Sequence, residues 1–263
     1  MQKKLFVIFG DPISHSKSPI MHNFAFKELG FLGCYNRYCL KDGSKIKEKI
    51  FDLKIKGCNI TIPHKEAAYR ACDFVDGFAK SVGVVNTIIQ KDGKLYGYNT
   101  DAPGFLKAIE EFEAKRVLFL GAGGTAQSSA KILRQNGFEV VISNRSASRL
   151  KNFLEEGFKA FTYSDLPFRE FDLIVNMTSA GLKDELLPAP KELLKELFEK
   201  TKGVVDVIYK QTPFLKMAKE FNLPTKDGKD MLIYQGAIAF EYFTNHQFSF
   251  DEVEPLLRRA LEF

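Results

Sequence analysis

The chain has 263 residues, 45% of them hydrophobic and 27% charged, with a formal net charge of +5. That length suggests two domains, or one large one, with a sizeable core, and the composition excludes a disordered chain. The positive excess is scattered and broken by acids, without the basic stripe and interleaved aromatics of a nucleic-acid binder, and no stretch approaches the ~20 apolar residues of a membrane span.

Strand and helix patterns alternate along the chain, which predicts an α/β fold. Leu5 to Phe9 reads as a strand; its apolar run is too short for a signal peptide and ends at Gly10-Asp11-Pro12. Ser18-Pro19 opens a helix, with Ser18 as N-cap, and Gly30 closes it. Tyr35 to Leu40 is a strand, Lys45 to Leu53 a helix, Asn59 to Ile62 a short strand stopped by Pro63, and Lys65 to Cys72 a helix. Val84 to Gln90 and Lys94 to Tyr98 flank Asp92-Gly93, a hairpin signal, so this first sheet mixes parallel and antiparallel pairs.

After Asp101 the pattern changes, and a domain boundary is placed there. A helix from about Pro103 to Phe112 leads to the buried strand Arg116 to Leu120, a glycine loop, a helix ending at Asn136-Gly137, and the strand Glu139 to Ser143. Strands follow at Asp172 to Asn176 and Val204 to Ile208; Thr212-Pro213 caps a helix that ends near Asn222. This is a doubly wound nucleotide-binding pattern. Met231 to Phe243 and a last helix then complete the first domain, giving 1–101 with 228–263 as one domain and 102–227 as the other. The four cysteines, Cys34, Cys39, Cys58 and Cys72, have neither C-x-x-C pairing nor a zinc spacing. Free thiols, no metal and a reducing, cytoplasmic setting are therefore expected.

The loop Gly121-Ala122-Gly123-Gly124-Thr125-Ala126 lies between a strand and a helix. Glycines let the backbone approach a diphosphate, and the helix N-terminus offers free N–H groups and partial positive charge. Alanine replaces the third glycine of the usual fingerprint, and the loop alone is weak evidence, since methyltransferases share it. The next strand is more informative. About 20 residues beyond the loop, where an acid would hold the ribose of NAD, stands Asn144-Arg145-Ser146-Ala147-Ser148-Arg149. It contains no acid but two guanidinium groups, which pair with phosphate oxygens by charge-assisted hydrogen bonds. The expected cofactor is NADP(H), with Ser146 also placed to cap the next helix.

Polar residues gather at the strand ends of the first domain: His15-Ser16-Lys17-Ser18-Pro19, Asn59-Ile60-Thr61-Ile62-Pro63-His64-Lys65, Asn86-Thr87 and Asn99-Thr100-Asp101. Each has a plain alternative role. Ser18 and Asp101 suit helix caps, Asn86 suits backbone satisfaction, and Lys65 suits a solvated surface. Together, beside an NADP loop, these hydroxyls, amides, lysine and carboxylate suit a small, polyhydroxylated anion.

With Gly10-Asp-Pro-Ile-Ser-His-Ser-Lys-Ser-Pro19, Asn59-Ile-Thr-Ile-Pro-His-Lys65, Gly83-Val-Val-Asn86-Thr, Asn99-Thr-Asp101, Gly121-Ala-Gly-Gly, Asn144-Arg-Ser and Asp227-Gly-Lys-Asp-Met-Leu-Ile-Tyr-Gln235, in this order along nearly the whole chain, the sequence resembles the shikimate dehydrogenase family. The resemblance implies a substrate domain with a mixed sheet, a Rossmann-like NADP-binding domain, and reversible reduction of 3-dehydroshikimate to shikimate by a monomer or homodimer. It implies Lys65 and Asp101 as catalytic pair, and Ser16, Ser18, Thr61, Asn86, Tyr209 and Gln235 as substrate contacts. It places Gly121, Ala122, Gly123, Gly124, Thr125, Asn144, Arg145, Ser146, Arg149, Thr178, Val207 and Gly228 at the cofactor. The chain departs from the family pattern at Met177, where alanine is usual, at Tyr98, where an acid is common, and at Ser146, where threonine is usual.

Ketone reduction places negative charge on oxygen, so a positioned acid lowers the barrier. Lys65 suits that role, and His64 is the nearest histidine rival. Two other readings stand beside this one: an NAD-dependent quinate/shikimate dehydrogenase, whose relatives tend to carry acids in the cofactor run, and a non-catalytic shikimate-binding protein.

Overall fold

An apolar strand followed by a helix recurs along the chain, and it recurs in two sheets. The computed structural model describes residues 3–262. In chain order these are β1 (Lys4–Gly10), α1 (Ser18–Glu28), β2 (Gly33–Cys39), α2 (Ile46–Asp52), β3 (Ile55–Ile60), α3 (Lys65–Ala71), β4 (Phe74–Val75), α4 (Gly77–Val82), β5 (Thr87–Lys91), β6 (Lys94–Tyr98) and α5 (Asp101–Ile109). Then come β7 (Arg116–Leu120), α6 (Gly124–Gln135), β8 (Glu139–Asn144), α7 (Lys151–Glu155), β9 (Lys159–Thr162), β10 (Leu173–Asn176), α8 (Lys191–Phe198), β11 (Gly203–Asp206), α9 (Pro213–Glu220), β12 (Thr225–Lys226), α10 (Lys229–Phe243) and α11 (Phe250–Arg259). The chain divides into two compact units, one up to Gly104 and again from Ile233, the other Phe105–Leu232.

The first unit holds a sheet of order β2-β1-β3-β5-β6-β4. Its β1 runs parallel to β2 and β3, while β5 is antiparallel to both β3 and β6. Both faces of β1 are covered. Val7 and Phe9 join Ile46, Ile50, Ile60 and Ala68 on one side. On the other, Phe6 meets Phe26 of α1 at 5.3 Å and Phe243 of α10 at 5.0 Å between ring centroids. Each such buried side chain contributes roughly 1.5–3 kcal/mol, more than β-propensity differences of about 1 kcal/mol, so packing decides that this run is a strand.

The second unit holds a wholly parallel sheet of order β12-β11-β10-β7-β8-β9, the doubly wound arrangement. Val117 and Phe119 of β7 pack with Ala126, Ala130 and Leu133 of α6. Leu118 and Leu120 pack on the opposite face with Leu194 and Leu197 of α8 and Phe214 of α9. The strand order reverses between β7 and β10, so the loops after these two strands border the crevice where such sheets bind ligands.

Several bounds differ from those expected. β3 begins at Ile55, because Gly57, which punctuates the sequence, pairs with Ile89 inside the ladder. β5 begins only at Thr87, although Asn86 just before it still accepts the Ile60 N–H and donates its own N–H to the Tyr98 carbonyl. β11 stops at Asp206, where the carboxylate accepts the Ile208 N–H and turns the chain. Among the described residues β4, α4, β9, α8 and β12 appear beyond the elements read from sequence, while α7 is the helix expected after Ser146.

Candidate active site

Ser16 lies in the loop after β1 and Ser18 at the start of α1; both are buried. Ser18 does not cap the helix as its sequence position suggested. The N-cap residue is Lys17, and no side chain caps the terminus. The Ser18 hydroxyl instead accepts from Ser16 Oγ at 3.3 Å, and Ser16 Oγ accepts the Ser18 N–H at 3.3 Å. Arg37 of β2 fixes the loop by donating Nε and Nη2 to the Ser16 carbonyl at 3.0 and 2.6 Å. Two hydroxyls at the positive end of an 11-residue helix suit a carboxylate.

Lys65 opens α3, and Asp101 opens α5. Lys65 Nζ donates to Asp101 Oδ2 at 2.6 Å, with the two side chains 25% and 15% exposed. Partial burial keeps the pair ordered while leaving it open to a small molecule. Asp101 is not spent as a cap, because Asn99 Oδ1 accepts the Ala102 N–H at 3.1 Å. His64 is excluded as the rival acid: it is 4% exposed and its Nε2 is bound to the Leu40 carbonyl.

A buried polar chain ends at Thr100, the residue before Asp101. Tyr35 donates its hydroxyl to Asn59 Oδ1 at 2.6 Å, and Asn59 Nδ2 donates to Thr87 Oγ1 at 3.0 Å. Asn86 Oδ1 accepts the Thr100 N–H at 2.7 Å, while its Nδ2 donates to Thr100 Oγ1 at 3.0 Å. The Asn86 amide thus does serve the backbone, and one of its two N–H donors remains. Thr61 is half-buried beside Gly10, and its hydroxyl has no hydrogen bond among the described residues. Gln235, half-buried, lies on α10 against Gly104 of α5. Of the expected substrate contacts, Tyr209 alone belongs to the second unit, in the bend after β11.

In that second unit the glycine loop follows β7. Gly121 has φ +112°, and a Cβ there would lie 2.7 Å from Thr178 Cγ2, so only glycine allows the loops after β7 and β10 to touch. Nothing would meet a Cβ on Gly123 or Gly124, which leaves open space over the loop. Gly123 is the N-cap of the 12-residue α6 and no side chain caps it, so the first-turn N–H groups, with Thr125 among them, face that space. At the end of β8, Asn144 Nδ2 donates to the Ser146 carbonyl at 3.0 Å. Ser146 occupies a cap position, yet its hydroxyl makes no cap bond. Arg145 and Arg149 are exposed and carry no ion pair among the described residues. A cavity of about 510 Å³ is lined by Asn144, Arg145, Tyr163, Thr178 and Ser179 among others. Open backbone over a helix N-terminus, beside two unpaired guanidinium groups, fits a dinucleotide with an extra phosphate.

Two further positions lie together. A Cβ on Gly228 would fall 2.1 Å from the Val207 carbonyl oxygen, so the turn before α10 lies directly on the bend after β11. Sequence reasoning missed what holds that bend: the fully buried carboxylate of Asp206. A charge inside the otherwise apolar Val204-Val-Asp-Val-Ile208 was the available signal. Burial pushes its carboxyl up, opposed by hydrogen bonds from Asn176, the Ile208 N–H and Thr212. Met177 fills the second unit's core, and Tyr98 stacks on Tyr242 at 4.0 Å, so both departures from the family pattern have packing partners. Among the described residues no His, Cys, Asp and Glu cluster is placed to hold a metal, and no helix is long and apolar enough to cross a membrane.

Comparison with known proteins agrees across the chain. Residues 8–88 match the shikimate dehydrogenase substrate binding domain, 105–201 match shikimate / quinate 5-dehydrogenase, and 228–258 match the shikimate 5'-dehydrogenase C-terminal domain. A shikimate dehydrogenase (NADP(+)) of Helicobacter hepaticus is 42% identical, covering 95% of this chain and 94% of its own. One from Helicobacter pylori is 44% identical, covering 98% and 99%. The crystal structure of shikimate 5-dehydrogenase from Thermus thermophilus in complex with NADP(H) and shikimate superposes with a TM-score of 0.84 at 35% identity, covering 98% and 99%.

Proposed function

This chain belongs to the shikimate dehydrogenase family, and we propose that it interconverts 3-dehydroshikimate and shikimate with NADP(H), using Lys65 and Asp101 as its catalytic pair. It is an NADP-dependent oxidoreductase acting on a small-molecule substrate. The observation that carries the reading is the Lys65–Asp101 ion pair, 2.6 Å long and only partly exposed, next in sequence to a buried network of amides and hydroxyls that ends at Thr100.

When bound, the cofactor supplies or takes the hydride. The chain's own residues manage the rest. Ser16 and Ser18 hold the substrate carboxylate, helped by the α1 N-terminus and by Tyr209. Asn86, Thr61 and Gln235 orient the ring hydroxyls. In reduction, Lys65 Nζ gives a proton to the carbonyl oxygen as negative charge develops there; in oxidation, it takes the proton of the hydroxyl being lost. Asp101 holds the ammonium in place, and the helix N-terminus beneath it favours its own charge. Gly121, Ala122, Gly123, Gly124 and Thr125 hold the diphosphate. Asn144, Arg145, Ser146 and Arg149 hold the 2′-phosphate, and Thr178, Val207 and Gly228 border the remainder of the cofactor.

Initial rates of NADPH formation test this reading. Shikimate with NADP should turn over at a kcat/KM roughly a hundredfold or more above shikimate with NAD, since charge-assisted bonds to the extra phosphate contribute about 1.5–3 kcal/mol each. Quinate should be the poorer substrate. Equal use of NAD, or a preference for quinate, supports the quinate/shikimate alternative; no turnover supports a binding protein.

A further inference from the structure

Asp206 ends β11 with none of its surface exposed, and it carries one carboxylate between two loops of the second unit. Its Oδ1 accepts the Ile208 N–H at 2.9 Å, which folds the bend that contains Val207 and Tyr209. Its Oδ2 accepts from Asn176 Nδ2 at 3.0 Å and from Thr212 Oγ1 at 2.7 Å. Asn176, also fully buried, then uses its own oxygen to accept the Thr178 N–H at 2.9 Å and the Thr178 hydroxyl at 2.7 Å. Thr178 Oγ1 in turn accepts the Ala180 N–H at 3.1 Å. Thr178 Cγ2 is the group that Gly121 approaches. One buried carboxylate therefore orients the loop after β10, through Asn176, and the bend after β11, directly.

We propose that Asp206 is a positioning residue for cofactor binding, setting Thr178 and the Val207 bend against the glycine loop. This rests on the proposed function, in which those groups border NADP(H). The donor pattern makes the role specific. Asn176 must aim Nδ2 at Asp206 for its Oδ1 to serve Thr178, so the direction of the Asn176 amide is set by an acceptor at Asp206. In Asp206→Asn the remaining oxygen satisfies either the Ile208 N–H or the Asn176 and Thr212 donors, not both. A fully satisfied buried network becomes a partly satisfied one, and one of the two loops is released. Exchanging the partners, Asp206→Asn with Asn176→Asp, restores an N–H donor facing an oxygen, and the Thr212 hydroxyl, which donated to the carboxylate, accepts the second amide N–H instead. It keeps an acceptor for Thr178 and another for Ile208, and it preserves the net charge.

The test is direct titration of NADPH, read by its fluorescence, with thermal melting measured alongside. Asp206→Asn should raise the NADPH Kd roughly tenfold or more, the loss of a hydrogen bond to a charged group, and the exchanged pair should return it to within about threefold of wild type. A carboxylate that only stabilises the fold would lower Tm and leave the Kd of the folded protein unchanged, which overturns the proposal. So does an exchanged pair that binds NADPH no better than Asp206→Asn. Should Asp206→Asn fail to fold, the exchanged pair alone decides: near-wild-type Kd supports the proposal, and a weakened Kd or failure to fold overturns it. Wild-type protein that binds no NADPH would overturn the proposed function itself, a result distinct from wild type and Asp206→Asn binding equally well.

Discussion

His22 is a fully buried imidazole stacked between Tyr35, at 4.5 Å and 15°, and Phe240, at 5.9 Å and 7°. Neither ring nitrogen has a hydrogen-bond partner among the described residues, and burial lowers its pKa to about 3. It stays neutral in the folded chain, whereas in the unfolded chain it protonates near pH 6.5. Below that pH the unfolded state binds the extra proton, so stability falls with acidification towards pH 3. His22→Phe keeps the stacking and removes the site. Its stability relative to wild type should grow by about 2 kcal/mol between pH 7.5 and pH 5, measured by urea unfolding. A difference that does not change with pH contradicts this assignment. At the same scale, sequence singled out Lys65 and Asp101 but left capping open for Ser18 and Asp101. Lys17 at the cap position of α1 and Asn99 bonded to the Ala102 N–H leave those hydroxyl and carboxylate groups free of that work. His22 was unremarkable in sequence, because what distinguishes it is the rings brought against it from β2 and α10.

Among elements, the ends of β7 and β8 carry the proposed preference for NADP(H). Their parallel pairing aligns Leu120 with Ser143, which sets the glycine loop beside the arginine run. Removing both guanidinium groups in Arg145→Ala/Arg149→Ala should raise KM for NADP roughly tenfold to a hundredfold and leave KM for NAD within about twofold. A parallel loss with both cofactors would place the arginines away from the 2′-phosphate. Elements with strong local punctuation were legible: Thr212 caps α9 as read, accepting the Leu215 N–H. The Asp92-Gly93 turn joins β5 to β6, and Asn136-Gly137 closes α6. Two-residue strands such as β4 and β12 carry too short a period to register, and β9, Lys-Ala-Phe-Thr, lacks the apolar run that made the equally short β10 legible. Helix α8 did have an apolar stripe, Leu193, Leu194, Leu197 and Phe198, that sequence reading left unused.

At the scale of the molecule, the doubly wound order of the second sheet follows from a pattern visible in sequence. Consecutive apolar residues in β7 need helices on both faces, and alternating strands and helices supply them. The first sheet is less regular, and its mixed pairing was signalled by one hairpin. What stayed hidden in the sequence is the buried polar wiring within each unit. The Tyr35, Asn59 and Thr87 chain in the first and the Asp206 and Asn176 pair in the second join residues 24 to 30 positions apart. Such networks depend on register between strands, which local patterns do not encode.

In the proposed reaction Lys65 transfers the proton. This is tested most directly by steady-state oxidation of shikimate with NADP for wild type and Lys65→Ala. The substitution should lower kcat by roughly 10² to 10⁴, the usual contribution of a positioned acid or base, with KM for shikimate changed only a fewfold. A kcat within about threefold of wild type would contradict the claim and remove Lys65 from the chemistry.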